Sequence, residues 1–294
     1  MNAITCFGEI LWDCFENQEI PGGAPMNVAL HLLRQGNKST MISAVGNDQA
    51  GELLLRYLFE QGLSIDHIQV HPGKPTGKVT VVIDERKQAS YTIHQPVAWD
   101  EIQPPGDDLP PMDALVFGSL ACRSGVSRST LSGLLQQPGL KVFDMNIRPP
   151  YVSADLIDAL LVASNILKIN EHELAYLEEH YRLKGSSDKE KLQDLQNRFS
   201  LQLICVTLGE KGAVVLSGNE LFSHPGYPVE VADTVGAGDS FLAAFITGLL
   251  NHDPIGQALE RACATGALVA SRHGANPDYT LRDIDRIIAG PGNA

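Results

Sequence analysis

Asp233-Thr234-Val235-Gly236-Ala237-Gly238-Asp239-Ser240-Phe241 runs without a break into the apolar stretch Leu242-Ala243-Ala244-Phe245-Ile246. Ser240–Leu250 is apolar on nearly every side, which predicts a helix buried on most faces. Gly236, Ala237 and Gly238 lie just ahead of it. Residues this small let a ligand approach the backbone, and a helix N-terminus offers unpaired N–H groups and a dipole that favour an anion. Asp239 falls in the first turn of this apolar helix. Capping the helix would explain one aspartate. It would not explain a glycine-rich nest, a second aspartate six residues earlier and a buried helix start. Phe241 stands where a dinucleotide fingerprint needs its third glycine, and no phosphate loop ending in Gly-Lys-Ser/Thr occurs in the chain.

Upstream of this stretch, short apolar runs alternate with amphipathic ones. Strands are expected at Ile4–Gly8, Ser39–Val45, Ala114–Gly118, Lys141–Asp144, Ile166–Ile169 and Leu203–Thr207. Helices are expected at Asn27–Gln35, Gly51–Gln61, Arg128–Gln136, Ala154–Ala163, Glu171–Tyr181 and Lys189–Phe199, with Gly36 and Gly62 as left-handed C-terminal caps. A further helix runs from about Ile255 to Ser271. This alternation predicts a doubly wound α/β fold, a mostly parallel sheet covered by helices on both faces. One segment breaks the rhythm. Lys78–Ile83 and Ala89–His94 are β-rich and flank Asp84-Glu85-Arg86-Lys87, which predicts a hairpin off the main sheet. A flap over a ligand cleft and a plain edge hairpin fit it equally well. Pro104–Pro111 reads as a loop. With no repeat and no linker, residues 1–294 read as one domain carrying a β lid at about 78–94.

Bulk properties exclude several functions. The 294 residues are 44% hydrophobic and 19% charged, with a formal net charge of −13. So acidic a chain, lacking any basic run, has no general attraction for nucleic acid or an anionic membrane. A phosphate site must therefore be built locally. No apolar run approaches the ~20 residues that span a bilayer. The cysteines Cys6, Cys14, Cys122, Cys205 and Cys263 are scattered without a Cys-x-x-Cys pair and read as free thiols. With no signal peptide evident, a cytoplasmic location is expected.

A second motif is Gly22-Gly23-Ala24-Pro25-Met26-Asn27-Val28-Ala29, followed by Gly36 and Gly46. Double glycine before a helix bearing Asn27 suits a hydroxyl-rich ligand, because backbone can approach and an amide both donates and accepts. A plain turn with an asparagine cap reads as well.

Taken together, Gly22–Gly46 and Asp233–Ile246 resemble the two signature patterns of the PfkB, or ribokinase-like, carbohydrate kinases, in the same order and over essentially the whole chain. The resemblance implies a ribokinase-like fold with a β lid, and a small sugar and ATP as partners. Asp239 would be the catalytic base, and Gly236, Ala237 and Gly238 the anion hole. Asp13, Gly22, Gly23 and Asn27 match positions that hold sugar hydroxyls. Asn170-Glu171-His172-Glu173 resembles an Asn-x-x-Glu motif that orders Mg2+ and phosphate through water, although Asn170 and Glu173 are equally spaced for an ordinary helix start. Thr207-Leu208-Gly209-Glu210-Lys211-Gly212 resembles the nucleotide-binding turn, with Gly238 also facing ATP. A monovalent cation, K+, is implied at Asp233, Val235, Val269, Arg272, Gly274 and Asp278, mostly through carbonyls. The lid can serve as a homodimer contact, as in several members.

Within the family, Asp144-Met145-Asn146-Ile147-Arg148-Pro149 looks most like fructokinases, as does Gly22-Gly23-Ala24-Pro25, and Arg148 joins the sugar-binding set. Pro150-Tyr151-Val152 departs from that pattern. The activity implied is ATP-dependent phosphorylation of a sugar hydroxyl, fructose first, with 2-keto-3-deoxygluconate, ribose or a nucleoside as other acceptors, or a non-catalytic sensor on the same fold.

Overall fold

The structure is a computed structural model describing residues 1–83 and 89–290. Its strands are β1 Ala3–Phe7, β2 Leu11–Cys14, β3 Glu19–Gly22, β4 Lys38–Gly46, β5 Ile68–His71, β6 Gly77–Ile83, β7 Ala89–Ile93, β8 Ala114–Gly118, β9 Leu140–Asp144, β10 Ile166–Asn170, β11 Leu203–Thr207, β12 Ala213–Ser217 and β13 Glu220–His224. The helices are α1 Ala24–Arg34, α2 Gln49–Glu60, α3 Gly125–Leu134, α4 Ala154–Val162, α5 Glu171–Tyr181, α6 Asp188–Phe199, α7 Ala237–Leu250, α8 Ile255–Ala270 and α9 Leu281–Ala289.

A nine-stranded sheet runs β13-β12-β11-β10-β9-β8-β1-β4-β5. It is parallel from β5 to β11, and β12 and β13 are antiparallel at one edge. Side chains alternate across it as the period of two demands. Phe117 and Phe143 point into one apolar layer with Leu131, Leu160, Leu177 and Leu195 of α3 to α6. Val116 and Val142 point into the other, with Leu30, Leu54, Phe245 and Leu259 of α1, α2, α7 and α8. The sheet is doubly wound, as the alternation predicted. Gly36 and Gly62 follow α1 and α2 with φ of +83° and +81°, where a Cβ would be strained.

A separate four-stranded sheet, β3-β2-β6-β7, stands off the main one. Its β6 and β7 are the expected hairpin, paired from Val79↔Ile93 to Ile83↔Ala89. The turn expected at Asp84–Lys87 lies outside the described residues. The hairpin is half of the sheet, since β2 pairs parallel with β6 and antiparallel with β3. These strands are too short for alternation to show in the sequence. Their presence puts Asp13 and Gly22 on the small sheet. No described helix is long and apolar enough to cross a membrane.

Candidate active site

The sheet order reverses beside β1, which lies between β8 and β4. In open α/β sheets the crevice outside the strands' carboxyl ends at such a point is where ligands bind. Asp144 and Asn170 close β9 and β10 at this edge, and Thr207, paired with Asn170, closes β11. The start of α7 belongs to the same place.

Gly236 is the N-cap of α7 with φ of +77°, and no side chain caps the helix. A Cβ on Gly236 would strike the Ala275 carbonyl, so the turn needs glycine for both conformation and space. Ala237 N–H donates to the Thr234 carbonyl at 3.3 Å. The first intrahelical bond runs from Ser240 N–H to the Gly236 carbonyl, leaving the N–H groups of Gly238 and Asp239 directed out of the helix end. Asp239 is half-buried, and its Oδ2 accepts a hydrogen bond from Asn27 Nδ2 at 2.8 Å. Burial raises its pKa from 3.8 to about 6, and Asp144 adds to the rise. Lys168, Asn27 and Arg148 oppose it. A carboxylate tuned toward neutrality beside an open anion nest can take a proton while an anion is held next to it.

Asn27 lies beside Asp239 at the start of α1. Its Nδ2 is given to Asp239, and its Oδ1 accepts from Asn276 Nδ2 at 2.7 Å. One N–H and one lone pair of the amide are engaged, so it orients Asp239 and keeps a second N–H and a second lone pair for a ligand hydroxyl. Nothing in the sequence marks Asn276, which lies 249 residues from Asn27.

The sugar-side residues gather on the other wall. Asp13 is half-buried on β2, and burial raises its pKa to about 6 while Arg148 opposes the rise. Gly22 sits diagonally across on β3, where any Cβ would strike the Asp13 carboxylate. Gly23 has φ of +118°, and its Cβ would strike the Glu9 carbonyl, so both glycines permit close packing around β1. Arg148 is exposed, its guanidinium bonded only to the Ile147 carbonyl at 3.0 Å among the described residues. The departure at Pro150-Tyr151-Val152 has a structural role: Tyr151 hydroxyl donates to the Ile93 carbonyl at 3.0 Å and ties this loop to β7. Glu9 carries no mark in the sequence. It is 3% exposed just after β1, its Oε2 is without a partner, and burial raises its pKa to about 7.

The nucleotide candidates are placed as structural parts first. Asn170 Oδ1 accepts from the N–H groups of His172 and Glu173, and Glu173 Oε2 accepts from Asn170 N–H, a full capping box on α5. Glu173 Oε1 accepts from Ile147 N–H at 2.8 Å, which ties α5 to the loop after β9. Burial, then Asp144, raises its pKa. Gly209 and Gly212 have φ of +59° and +84°, and a Cβ on Gly212 would strike the His224 carbonyl. Thr207 Oγ1 donates weakly to the Ile169 carbonyl at 3.4 Å. No group of three or more His, Cys, Asp or Glu among the described residues could hold a metal ion.

The two segments expected to hold a monovalent cation do meet. Asp233 Oδ1 accepts from Val235 N–H at 3.0 Å and Oδ2 from Gly274 N–H at 3.1 Å. Two of the expected carbonyls are already used. Val269 accepts from Arg272 N–H at 2.9 Å, and Asp278 accepts from the Arg272 guanidinium. Asp233, Val235, Arg272 and Gly274 remain to fit an ion through backbone carbonyls. A cavity of about 470 Å³ opens nearby between Val229–Ala232 and Ser271 and His273.

The profile of the pfkB family carbohydrate kinases matches residues 2–281. A fructokinase of Klebsiella pneumoniae is 31% identical over 285 residues, covering 90% of each chain. Among solved structures, a double-mutant fructokinase from Vibrio cholerae O395 in fructose, ADP and potassium ion bound form superposes with a TM-score of 0.85 at 26% identity over 98% of both chains. An uncharacterized sugar kinase from Pyrococcus horikoshii in complex with ATP does so with a TM-score of 0.79 at 28% identity, over 93% of this chain and 94% of that one.

Proposed function

The chain belongs to the pfkB family of carbohydrate kinases, and from that premise we propose that it transfers the γ-phosphoryl group of ATP to fructose, giving fructose 6-phosphate. The observation that carries the reading is the pairing of Asp239 with the uncapped start of α7, one carboxylate and one anion nest in the same helical turn.

Phosphoryl transfer asks chiefly for positioning and charge stabilisation. Asp239, held by Asn27, takes the proton of the attacking hydroxyl. The Gly238 and Asp239 N–H groups meet the charge spread over the transferring phosphoryl oxygens, already oriented and so without reorganisation cost. Asp13 and Arg148 bind the sugar from the small sheet and the loop after β9. Thr207, Gly209 and Gly212 give the nucleotide a surface of exposed backbone beside Asn170 and Glu173. Magnesium bound to the phosphates would neutralise the developing charge, with Asn170 and Glu173 reaching it through water. The potassium-bound neighbour supports a monovalent cation against Asp233, Val235, Arg272 and Gly274. Closure of the β3-β2-β6-β7 sheet over the sugar would exclude water and limit ATP hydrolysis.

Fructose rests on the Asp144–Arg148 and Gly22–Pro25 stretches and on relatives named fructokinase. A coupled assay of ADP release over fructose, ribose, 2-keto-3-deoxygluconate and adenosine tests it. The highest kcat/KM is expected for fructose. A clearly higher value for another acceptor sinks the fructose assignment and keeps the kinase, and no turnover on any acceptor favours a sensor.

A further inference from the structure

Two buried ion pairs lie in this half of the molecule, and they are finished differently. Arg123 gives Nε to Asp100 Oδ1 at 2.7 Å and Nη2 to Asp100 Oδ2 at 3.0 Å and to the His94 carbonyl at 2.9 Å. Asp100 Oδ2 also accepts from Val97 N–H, and the guanidinium lies 4.0 Å over the Trp99 ring. That carboxylate has both oxygens engaged, and the unpartnered atom of this pair is on the cation, Arg123 Nη1. The second pair is Lys168 and Asp144, opposite one another on β10 and β9. Their side chains are 9% and 5% exposed, and one bond joins them, Nζ to Oδ1 at 2.9 Å. Asp144 Oδ2 is buried with no partner. An ammonium has three donors, and this is the one side-chain bond made by Lys168 among the described residues.

A buried pair left this open is a poor stabiliser of the fold, because its desolvation is only partly offset. Its position supplies another reason for it. A Cβ on Gly238 would lie 3.3 Å from Lys168 Nζ, so the ammonium sits directly under the first turn of α7. In a chain of net charge −13 a phosphate needs a cation placed by hand. Burial works against the charge of Lys168, but Asp144, Asp239 and Glu173 more than compensate and hold its pKa above the ordinary value.

We propose, resting on the kinase reading above, that Lys168, anchored by Asp144, is the fixed positive charge of the phosphoryl-transfer site, with its open donors turned to an oxygen of the transferring group and its charge facing Asp239. The acceptor hydroxyl loses its proton to Asp239, its oxygen bonds to phosphorus, and the bond from phosphorus to the ADP oxygen breaks. Lys168 stays protonated throughout. The groups acting on Asp239 are Asp144, Lys168, Arg148 and Asn27, with Glu9 coupled to it from the end of β1. Removing Lys168 alone leaves Asp144 opposing ionisation of Asp239, and removing both charges cancels most of that change.

The test uses Lys168→Met and the double variant Lys168→Met with Asp144→Asn, assayed with the acceptor that the wild type prefers. The double variant carries no lone buried charge, so it tests the proposal even if the single one fails to fold. It is expected to unfold cooperatively, to bind the sugar with the wild-type Kd by calorimetry, and to lose about 100-fold in kcat, the scale of one missing charge stabiliser. The single variant should show in addition an acid limb of kcat moved to higher pH. A double variant within about threefold of wild-type kcat, or a loss confined to sugar Kd, overturns the proposal. An unmoved acid limb in a folded Lys168→Met overturns its action on Asp239. A mistaken base would show separately, as turnover by Asp239→Asn while the Lys168 variants remain slow, and would leave Lys168 with the phosphoryl group alone.

Discussion

Two helices begin at the edge of the sheet, α5 and α7, and their first turns are opposites. The N-terminus of α5 is closed by its own side chains: Asn170 accepts two backbone N–H groups, and Glu173 returns a bond to Asn170. The N-terminus of α7 is capped by no side chain at all and begins on a glycine in the left-handed region. Both carry an acidic residue at the third helical position, Glu173 and Asp239. In α5 that residue completes the cap. In α7 it turns to Asn27, and the N–H groups stay open. A side-chain cap is worth about 1 kcal/mol to a helix. At the half-buried start of α7 that stabilisation is absent and the donors stay open. The sequence spacing alone could not separate the two cases, because Asn-x-x-Glu and Gly-x-x-Asp both read as helix starts.

The hardest test of the contrast is Asp239→Asn. The amide is nearly isosteric and can still accept from Asn27, yet it cannot take the hydroxyl proton. Turnover is expected to fall by about 10²–10⁴-fold, the range for a general base, with sugar and nucleotide Kd little changed by calorimetry. The wild type should lose activity on the acid side near pH 6, where Asp239 protonates. Stability should move the other way. The folded pKa of about 6 stands above the ordinary 3.8, so the folded chain binds the proton more tightly than the unfolded one. The stability from this group is fully present below about pH 4 and is lost as pH rises through about 6. At pH 8 the variant should therefore have a higher urea midpoint than the wild type, and the gap should close toward pH 4. A variant both active and less stable at pH 8 would make Asp239 a second cap, like Glu173.

Gly236→Ala comes next. Alanine at φ of +77° costs roughly 1–2 kcal/mol, and its Cβ would press on the Ala275 carbonyl, displacing the nest. The expected loss in kcat is of order 10²-fold, comparable to removing one backbone donor, read by steady-state kinetics. Unchanged kcat would mean that the open N–H groups of α7 do not face the reacting phosphate.

The same kind of change on α5 should act on folding instead. Asn170→Ala removes the acceptor of two bonds and should lower stability by about 1 kcal/mol in urea titration. Its effect on kcat should be far smaller than that of Gly236→Ala. A selective rise in the magnesium concentration needed for half-maximal rate would sharpen the contrast, by giving the closed helix start a second function through water.

What could be read in the sequence was local. Strand β8 and helix α5 fall where expected, and α7 begins within the quoted stretch, because each is specified by its own periodicity and punctuation. The short β2 and β3 were not visible, since four residues hardly show a period and the pairing of β2 with β6 comes from a distant part of the chain. The same holds within the site. Asp239 and the nest lie in one continuous motif. Asn276 matters only because the fold brings it to Asn27, and Lys168 reads along Ile166-Leu167-Lys168-Ile169 as an ordinary strand residue. Glu9 likewise reads as a polar residue following a strand, although it is buried with an unpartnered oxygen.

The smallest effect is expected from a monovalent cation behind α7. Its nest points N–H groups at one spot, so carbonyls of the neighbouring loops point away and need partners, at roughly 1–3 kcal/mol for each one buried unpaired. In this chain the protein supplies part of that need. Val269 is satisfied by the Arg272 backbone and Asp278 by the Arg272 guanidinium, while the Asp233 carboxylate is held by the N–H groups of Val235 and Gly274. The guanidinium is a permanent charge at one corner of the expected site. Potassium, titrated at constant ionic strength in buffer free of sodium, should therefore raise kcat only modestly, less than any change above. Arg272→Ala frees the Asp278 carbonyl and removes the charge, so its activity should depend more steeply on potassium than that of the wild type. Strong dependence in the wild type with none added by the variant would mean that the guanidinium does not stand in for the ion. The α7 loop would then be held by a fully bound cation against Asp233.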